Sequence, residues 1–287
     1  MTSVVGYGID RPYTVVAKHT GFKSSNRVHA NGLPQKLGFR GGFVLGIAIY
    51  GYMTRALVAR LGEPWLARAL VEVKFLKPVC EGDRLRIETL PVAGGEAENQ
   101  FKVTAYNESM NNEVTAILTT CVPVPFPEVD AKAGIPPNEW SGPVTRLRAW
   151  DSVVIDRAYR TLSHTLTIED NRTWQRILSD DLPVFAQGEH PPIHPAHVLR
   201  QVQLGTNHEC ITDNAVHCST KAVIHSLLRV GDPVRLLTVP IAKWEKKQNH
   251  WITMYCAIYR EDRVCAEIYH TQIFKLRGTE ELPTADR

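Results

Sequence analysis

Two textures of hydrophobic and polar positions alternate along this chain. The first is a long apolar block at residues 43–61, relieved chiefly by Tyr50, Tyr52, Thr54 and Arg55. It has the length of a buried helix, and Gly62 and Pro64 mark its end. The second is a set of partly alternating runs rich in β-branched and aromatic residues, the pattern of half-buried strands. Four such runs follow the block, at 70–76, 84–90, 100–106 and 114–122. The sequence then returns to both textures. A shorter, more polar helical stretch at 195–204, stopped by Gly205, precedes strand-like runs at 216–225, 233–244, 250–259 and 264–276.

The two passes align. Pro78-Val79-Cys80-Glu81-Gly82-Asp83 returns loosely around Gly231-Asp232, 149 residues on, and Val114-Thr115-Ala116 returns as Val264-Cys265-Ala266 at an offset of 150. Agreement of two separated anchors to within one residue argues for duplication over chance reuse of a Gly-Asp turn. A long helix followed by several antiparallel strands, given twice, predicts an α+β chain in which each sheet wraps its own helix. The units are placed at 1–130 and 151–278, with a linker at 131–150 and a loose tail at 279–287. Prolines between Pro123 and Pro143 favour an extended, semi-rigid connector.

Composition narrows the classes of function. With 44% apolar and 22% charged residues the chain reads as globular and soluble. A net charge of +3, with Lys and Arg scattered, argues against a nucleic-acid partner. The N-terminus shows no secretory pattern, and the longest apolar block is too interrupted to span a bilayer, so no membrane association is expected. The six cysteines form no C-x-x-C pair, which fits a reducing, cytoplasmic location. No metal-ligand spacing such as H-E-x-x-H occurs among the histidines.

Candidate chemistry gathers ahead of the first helix. Asn26 and His29 stand three residues apart, shortly before the turn Gly38-Phe39-Arg40-Gly41-Gly42. Polar side chains are thereby delivered to a helix N-terminus, where free backbone N–H groups and the helix dipole favour developing negative charge. Such a site can polarise a carbonyl. Arg40 can either reach a phosphate or anchor its loop. Tyr50 and Tyr52 read as core or pocket wall, His217 lies in a strand and can face either way, and residues 243–249 read as a hairpin turn. Asp180 and Asp181 read as surface or turn residues after a helical stretch at 170–178.

Asn26-x-x-His29, the glycine-rich turn and Pro78-Val79-x-x-Gly82-Asp83 resemble the MaoC-like, (R)-specific enoyl-CoA hydratase family. His194-Pro195-Ala196-His197-Val198-Leu199-Arg200 and His270-Thr271-x-Ile273-Phe274 extend the resemblance into the second half. It implies a double hot-dog fold and a 3-hydroxyacyl or 2-enoyl thioester substrate. Coenzyme A or phosphopantetheine would arrive as part of that substrate, with no metal or redox cofactor. A homodimer is compatible with it.

The family motif reads Asp-x-Asn-Pro-x-His: Asp and His flank one water, and a backbone N–H at the helix start polarises the thioester carbonyl. By position, His29 and Asn26 match, Gly46 supplies the N–H, Ser24 stands in the Asp place and Arg27 in the Pro place. Phe39, Arg40 and Tyr50 are the candidate substrate-binding residues. Ser24 can position water but cannot be its base near neutral pH. In the second half, Asp180 occupies the Asp place, Pro183 the Pro place and Phe185 the His place, so only the first unit is expected to carry a reaction-capable pocket. The alternative is a catalytically altered hot-dog protein whose repurposed pocket binds or converts another small molecule. A hot-dog thioesterase is disfavoured, because residues 43–61 contain no Asp or Glu.

Overall fold

Residues 11–19, 26–29, 32–92, 98–140, 142, 144 and 149–279 are described in a computed structural model of the chain. Burial explains its first long helix. In α2 (Gly46–Leu61) every residue from Ile47 to Val58 is buried, Thr54 and Arg55 included. A helix enclosed on all sides sits at the centre of a layer structure rather than on its surface. Two short helices flank it, α1 (Leu33–Lys36) and α3 (Glu63–Ala67), and Gly62 at φ 63° makes the break between α2 and α3.

The strands of the first half are β1 (Tyr13–Val16), β2 (Ala69–Phe75), β3 (Arg84–Pro91), β4 (Glu98–Asn107) and β5 (Glu113–Val122). Those of the second are β6 (Leu162–Thr165), β7 (Val216–Ile224), β8 (Pro233–Lys246), β9 (Asn249–Arg260) and β10 (Arg263–Lys275), with helices α4 (Ile168–Leu178) and α5 (Pro195–Glu209). All ten strands form one antiparallel sheet in the order β1-β3-β4-β5-β2-β7-β10-β9-β8-β6. Read from either edge, the order visits equivalent strands. The expected double hot-dog is present, and its units join through the β2–β7 ladder, from Ala69↔Ile224 to Lys74↔Ser219.

The repeat is also visible in bonding. Asp83 accepts the Cys80 N–H at 2.9 Å and Asp232 accepts the Arg229 N–H at 2.9 Å, each closing its own Gly-Asp turn. Arg40 donates to the first carboxylate and Arg260 to the second. Strands β1 and β6, short and not foreseen, stand 149 residues apart on the two sheet edges.

One sequence expectation needs correction. Helix α5 runs to Glu209 and not to Leu204, giving 15 residues against 16 in α2. Gly205 lies inside it because a Cβ there would overlap the Thr238 hydroxyl of β8. The start of the linker, expected as a semi-rigid connector, is tied to the sheet. A 3-10 turn at Ala131–Gly134 is bonded to the sheet by the Tyr259 hydroxyl, which donates to the Ala133 carbonyl, and by Tyr269, which donates to Asp130 at 2.7 Å. Apart from Thr279, the tail lies outside the described residues. No helix among the described residues is long and apolar enough to cross a membrane.

Candidate active site between the two units

His29 is the last residue of a 3-10 turn, Arg27–His29, whose hydrogen bonds fix its ring. Its Nδ1–H donates to the Phe43 carbonyl at 2.8 Å, which leaves Nε2 as the acceptor in the neutral ring. Asn26 donates to that Nε2 at 3.2 Å. The same amide nitrogen donates to the Ala215 carbonyl at 2.7 Å, and Asn26 Oδ1 accepts the Ala215 N–H at 3.0 Å. Arg27 adds a bidentate pair with Asp213, at 3.0 and 2.8 Å to Oδ2 from its two nitrogens. Residues of the second half therefore hold the first half's histidine in place.

Burial pushes the His29 pKa down to about 4, against a smaller upward effect of the Phe43 carbonyl and a further lowering by His19. The ring is neutral at pH 7, with Nε2 able to accept a proton once the 3.2 Å contact from Asn26 yields.

The start of α2 is built by backbone pairing. Phe43 N–H donates to Val28 O and Val44 N–H to Val79 O, both at 2.8 Å. The N-cap residue, Leu45, has no side chain able to cap, and the Gly46 N–H has no acceptor among the described residues. Glycine is required there: a Cβ would stand 2.6 Å from His217 Nδ1.

A cavity of about 370 Å3 joins these parts. The first half lines it with Asn26, His29, Phe39, Gly46 and Ile49, and the second with Val202, Thr206, His217, His270 and Gln272. A second cavity, lined by Tyr50 and Trp65 together with Pro195 and Leu199 of α5, measures only about 30 Å3. It occupies the equivalent place beside the second unit's helix, and large side chains have closed it.

The expected site residues divide accordingly. Asn26, His29, Phe39 and Gly46 meet in the large cavity, Phe39 packing edge-on against Phe43 at 4.9 Å. Ser24 lies outside the described residues. Arg40 does not line the cavity; its guanidinium is held by Asp83 at 2.7 and 2.9 Å, the contact of a loop anchor. Tyr50 belongs to the small closed cavity instead.

Asp180 is not a surface residue either. It is 5% exposed, accepts from Arg55 of α2 at 2.7 Å, and faces His194 Nε2 at 3.2 Å. Asp181 is the exposed member of the pair, although it too accepts from Arg55. Phe185 ends a 3-10 turn, Pro183–Phe185, in the place of the Arg27–His29 turn, and is fully buried.

His217 was left open by the sequence, and a β-bulge decides it. In a regular strand residues 217 and 220 face opposite ways. In the β7–β10 ladder Thr271 pairs with Ser219 but Gln272 with His217, so Cys218 is skipped. The bulge turns His217 and Thr220 to one face, where His217 Nε2 lies 2.7 Å from Thr220 Oγ1 and Thr220 Oγ1 lies 3.3 Å from His270 Nδ1. Burial, with His270 adjacent, holds His217 neutral.

Among the described residues no Asp or Glu lines the large cavity. Among the described residues no group of three or more His, Cys, Asp or Glu is placed to hold a metal ion.

No family model and no curated protein sequence matches the chain. Solved structures do. A MaoC domain protein of Chloroflexus aurantiacus superposes with a TM-score of 0.60 at 13% identity, over 96% of this chain and all of that one. A conserved hypothetical protein of Mycobacterium tuberculosis, described as a double hotdog, gives 0.58 at 10% identity, over 92% and 96%. The 12:0-ACP thioesterase of Umbellularia californica gives 0.52 at 9% identity, over 93% and 94%. At such identities the likeness establishes the fold, not the activity.

Proposed function

We propose that this chain acts on an acyl thioester of coenzyme A or an acyl carrier, and that it hydrates a 2-enoyl thioester or dehydrates the corresponding 3-hydroxyacyl thioester. One observation carries the reading: a single cavity joins the acceptor nitrogen of a neutral histidine to an uncapped helix N-terminus. With the thioester carbonyl at the Gly46 N–H, the enolate-like oxygen that develops in the reaction is stabilised there; one such donor is worth about 3–4 kcal/mol in other enzymes. In the hydration direction His29 Nε2 takes a proton from water as its oxygen bonds C3, and the proton is returned to C2. Dehydration reverses these steps.

The absence of a carboxylate among the described residues that line the cavity has two consequences. A thioesterase of the kind that relies on an acidic residue is disfavoured. For the hydratase, His29 works without a carboxylate partner among the described residues, a loss worth on the order of 10²- to 10⁴-fold. The test follows hydration of a panel of 2-enoyl-CoA thioesters by loss of enoyl absorbance. His29→Ala should abolish turnover while the thermal melt stays cooperative, and Ser24→Asp, which supplies the motif carboxylate, should raise it. Unchanged turnover in His29→Ala overturns the mechanism. Binding without turnover in every variant points instead to the repurposed pocket.

A further inference from the structure

One wall of the large cavity is polar in a way that a plain alkyl chain cannot satisfy. Strand alternation puts His270 and Gln272 of β10 on one face, and their ladder partners on β7 are Thr220 and His217. His217, Thr220 and His270 contact one another, as described. Gln272 stands apart. It is 7% exposed, it lines the cavity, and its amide meets no hydrogen-bond partner among the described residues. A glutamine amide offers two donors and an acceptor, and this one is turned to the accessible space of the cavity rather than sealed in the core without a partner.

The duplicated half provides an internal control. At the positions 150 residues earlier stand Thr120 and Val122 in place of His270 and Gln272. The small cavity beside the second unit's helix is lined mostly by apolar residues such as Trp65, Leu66, Val71 and Leu199. Where the cavity is small, no amide stands at the position equivalent to Gln272.

We infer that the acyl group received by this cavity carries a hydroxyl or ketone a few bonds beyond the thioester carbonyl, and that Gln272 hydrogen-bonds it. The inference rests on the thioester reading above and adds the class of acyl group. His217 packs on Gly46, where the carbonyl would lie, and Gln272 pairs with His217 on the adjoining strand, about 4.8 Å away. An oxygen function a few bonds along the chain comes within reach of the amide. An alkyl chain in the same place would cover the amide and return no hydrogen bond. Sites built around such a bond reject the analogue lacking it far more strongly than sites that sense size alone.

The test is calorimetric binding of hexanoyl-CoA and of 4-, 5- and 6-hydroxyhexanoyl-CoA, all saturated at C2–C3 and so inert to hydration. The wild type should bind at least one hydroxylated thioester about ten-fold or more tightly than hexanoyl-CoA, the difference one satisfied hydrogen bond makes. Gln272→Leu should erase that preference and tighten hexanoyl-CoA. Gln272→Val, which installs the residue of the first half, should do the same, with melts confirming that both variants fold. Equal wild-type affinity for all four ligands, or a preference that survives in both variants, overturns the inference and leaves the thioester reading standing. Failure of all four to bind any of the proteins overturns the thioester reading and this inference with it.

Discussion

His29 illustrates how one residue can be half legible in a sequence. Its spacing from Asn26 and from the helix start was enough to single it out. What holds it was hidden, because Asp213 and Ala215 lie some 190 residues downstream and the bonds to them depend on the fold. Arg27, a departure from the expected proline, thus has a structural use in pairing with Asp213. The lowered pKa of His29 has a testable sign. Its folded value is about 4 and its unfolded value 6.5, so between those limits the unfolded chain takes up a proton that the folded chain refuses. Stability from this group is complete above pH 6.5, is lost as pH falls through the window, and levels off below about pH 4. Melting temperatures between pH 7 and 4 should therefore fall less steeply in His29→Gln than in the wild type. His197, also lowered to about 4 by burial, leaves a residual slope in both. Equal slopes would mean that His29 is not desolvated as described. Turnover should likewise keep its basic form of His29 well below pH 6.5.

At the scale of elements, the hydrophobic pattern located all eight long strands and the first helix to within a few residues, because half-buried strands alternate and a fully enclosed helix does not. It failed at Gly205. A glycine after an apolar run is a common helix stop, but this one is retained because β8 approaches too closely for a Cβ. Gly205→Ala should cost about 1–3 kcal/mol by overpacking against Thr238. Adding Thr238→Ala should recover that loss, since alanine is otherwise the better helix former. Denaturant unfolding of the two single variants and the double variant measures the coupling; simple additivity would show that the contact is not the reason for the glycine. The bulge at Cys218 was unreadable for a related reason. Register is a property of paired strands, and nothing local in Val216 to Thr220 announces a skipped residue.

For the whole molecule, duplication was legible from two anchors, yet the continuous sheet and the unequal fates of the two pockets were not. Both follow from contacts across the pseudo-symmetric interface, where equivalent positions carry different residues. Arg55 shows the consequence most clearly. Its guanidinium, with a side chain only 8% exposed, enters the second half to meet Asp180, whose side chain is 2% exposed, and Asp181. Asp180, which by resemblance stands in the Asp place of the motif, is a structural partner here: despite burial, His194 and Arg55 hold its carboxyl below the usual range. Neither Arg55 nor Asp180 lines the His29 cavity; both border a separate cavity of about 320 Å3 together with Tyr52 and Ser179. Removing one member of a buried pair leaves an uncompensated charge, so Asp180→Ala should cost about 3 kcal/mol or more, softened to the extent that exposed Asp181 remains in reach. Replacing the pair together, Arg55→Met with Asp180→Leu, should restore most of that stability, because the double change leaves no stranded charge. In both proteins turnover per folded molecule should match the wild type, measured as initial rates at a temperature where melts show full folding. If Asp180→Ala folds but loses turnover and the apolar pair does not regain it, the carboxylate takes part in the chemistry. The two halves would then share one reaction, and the assignment of a single site at His29 would be wrong.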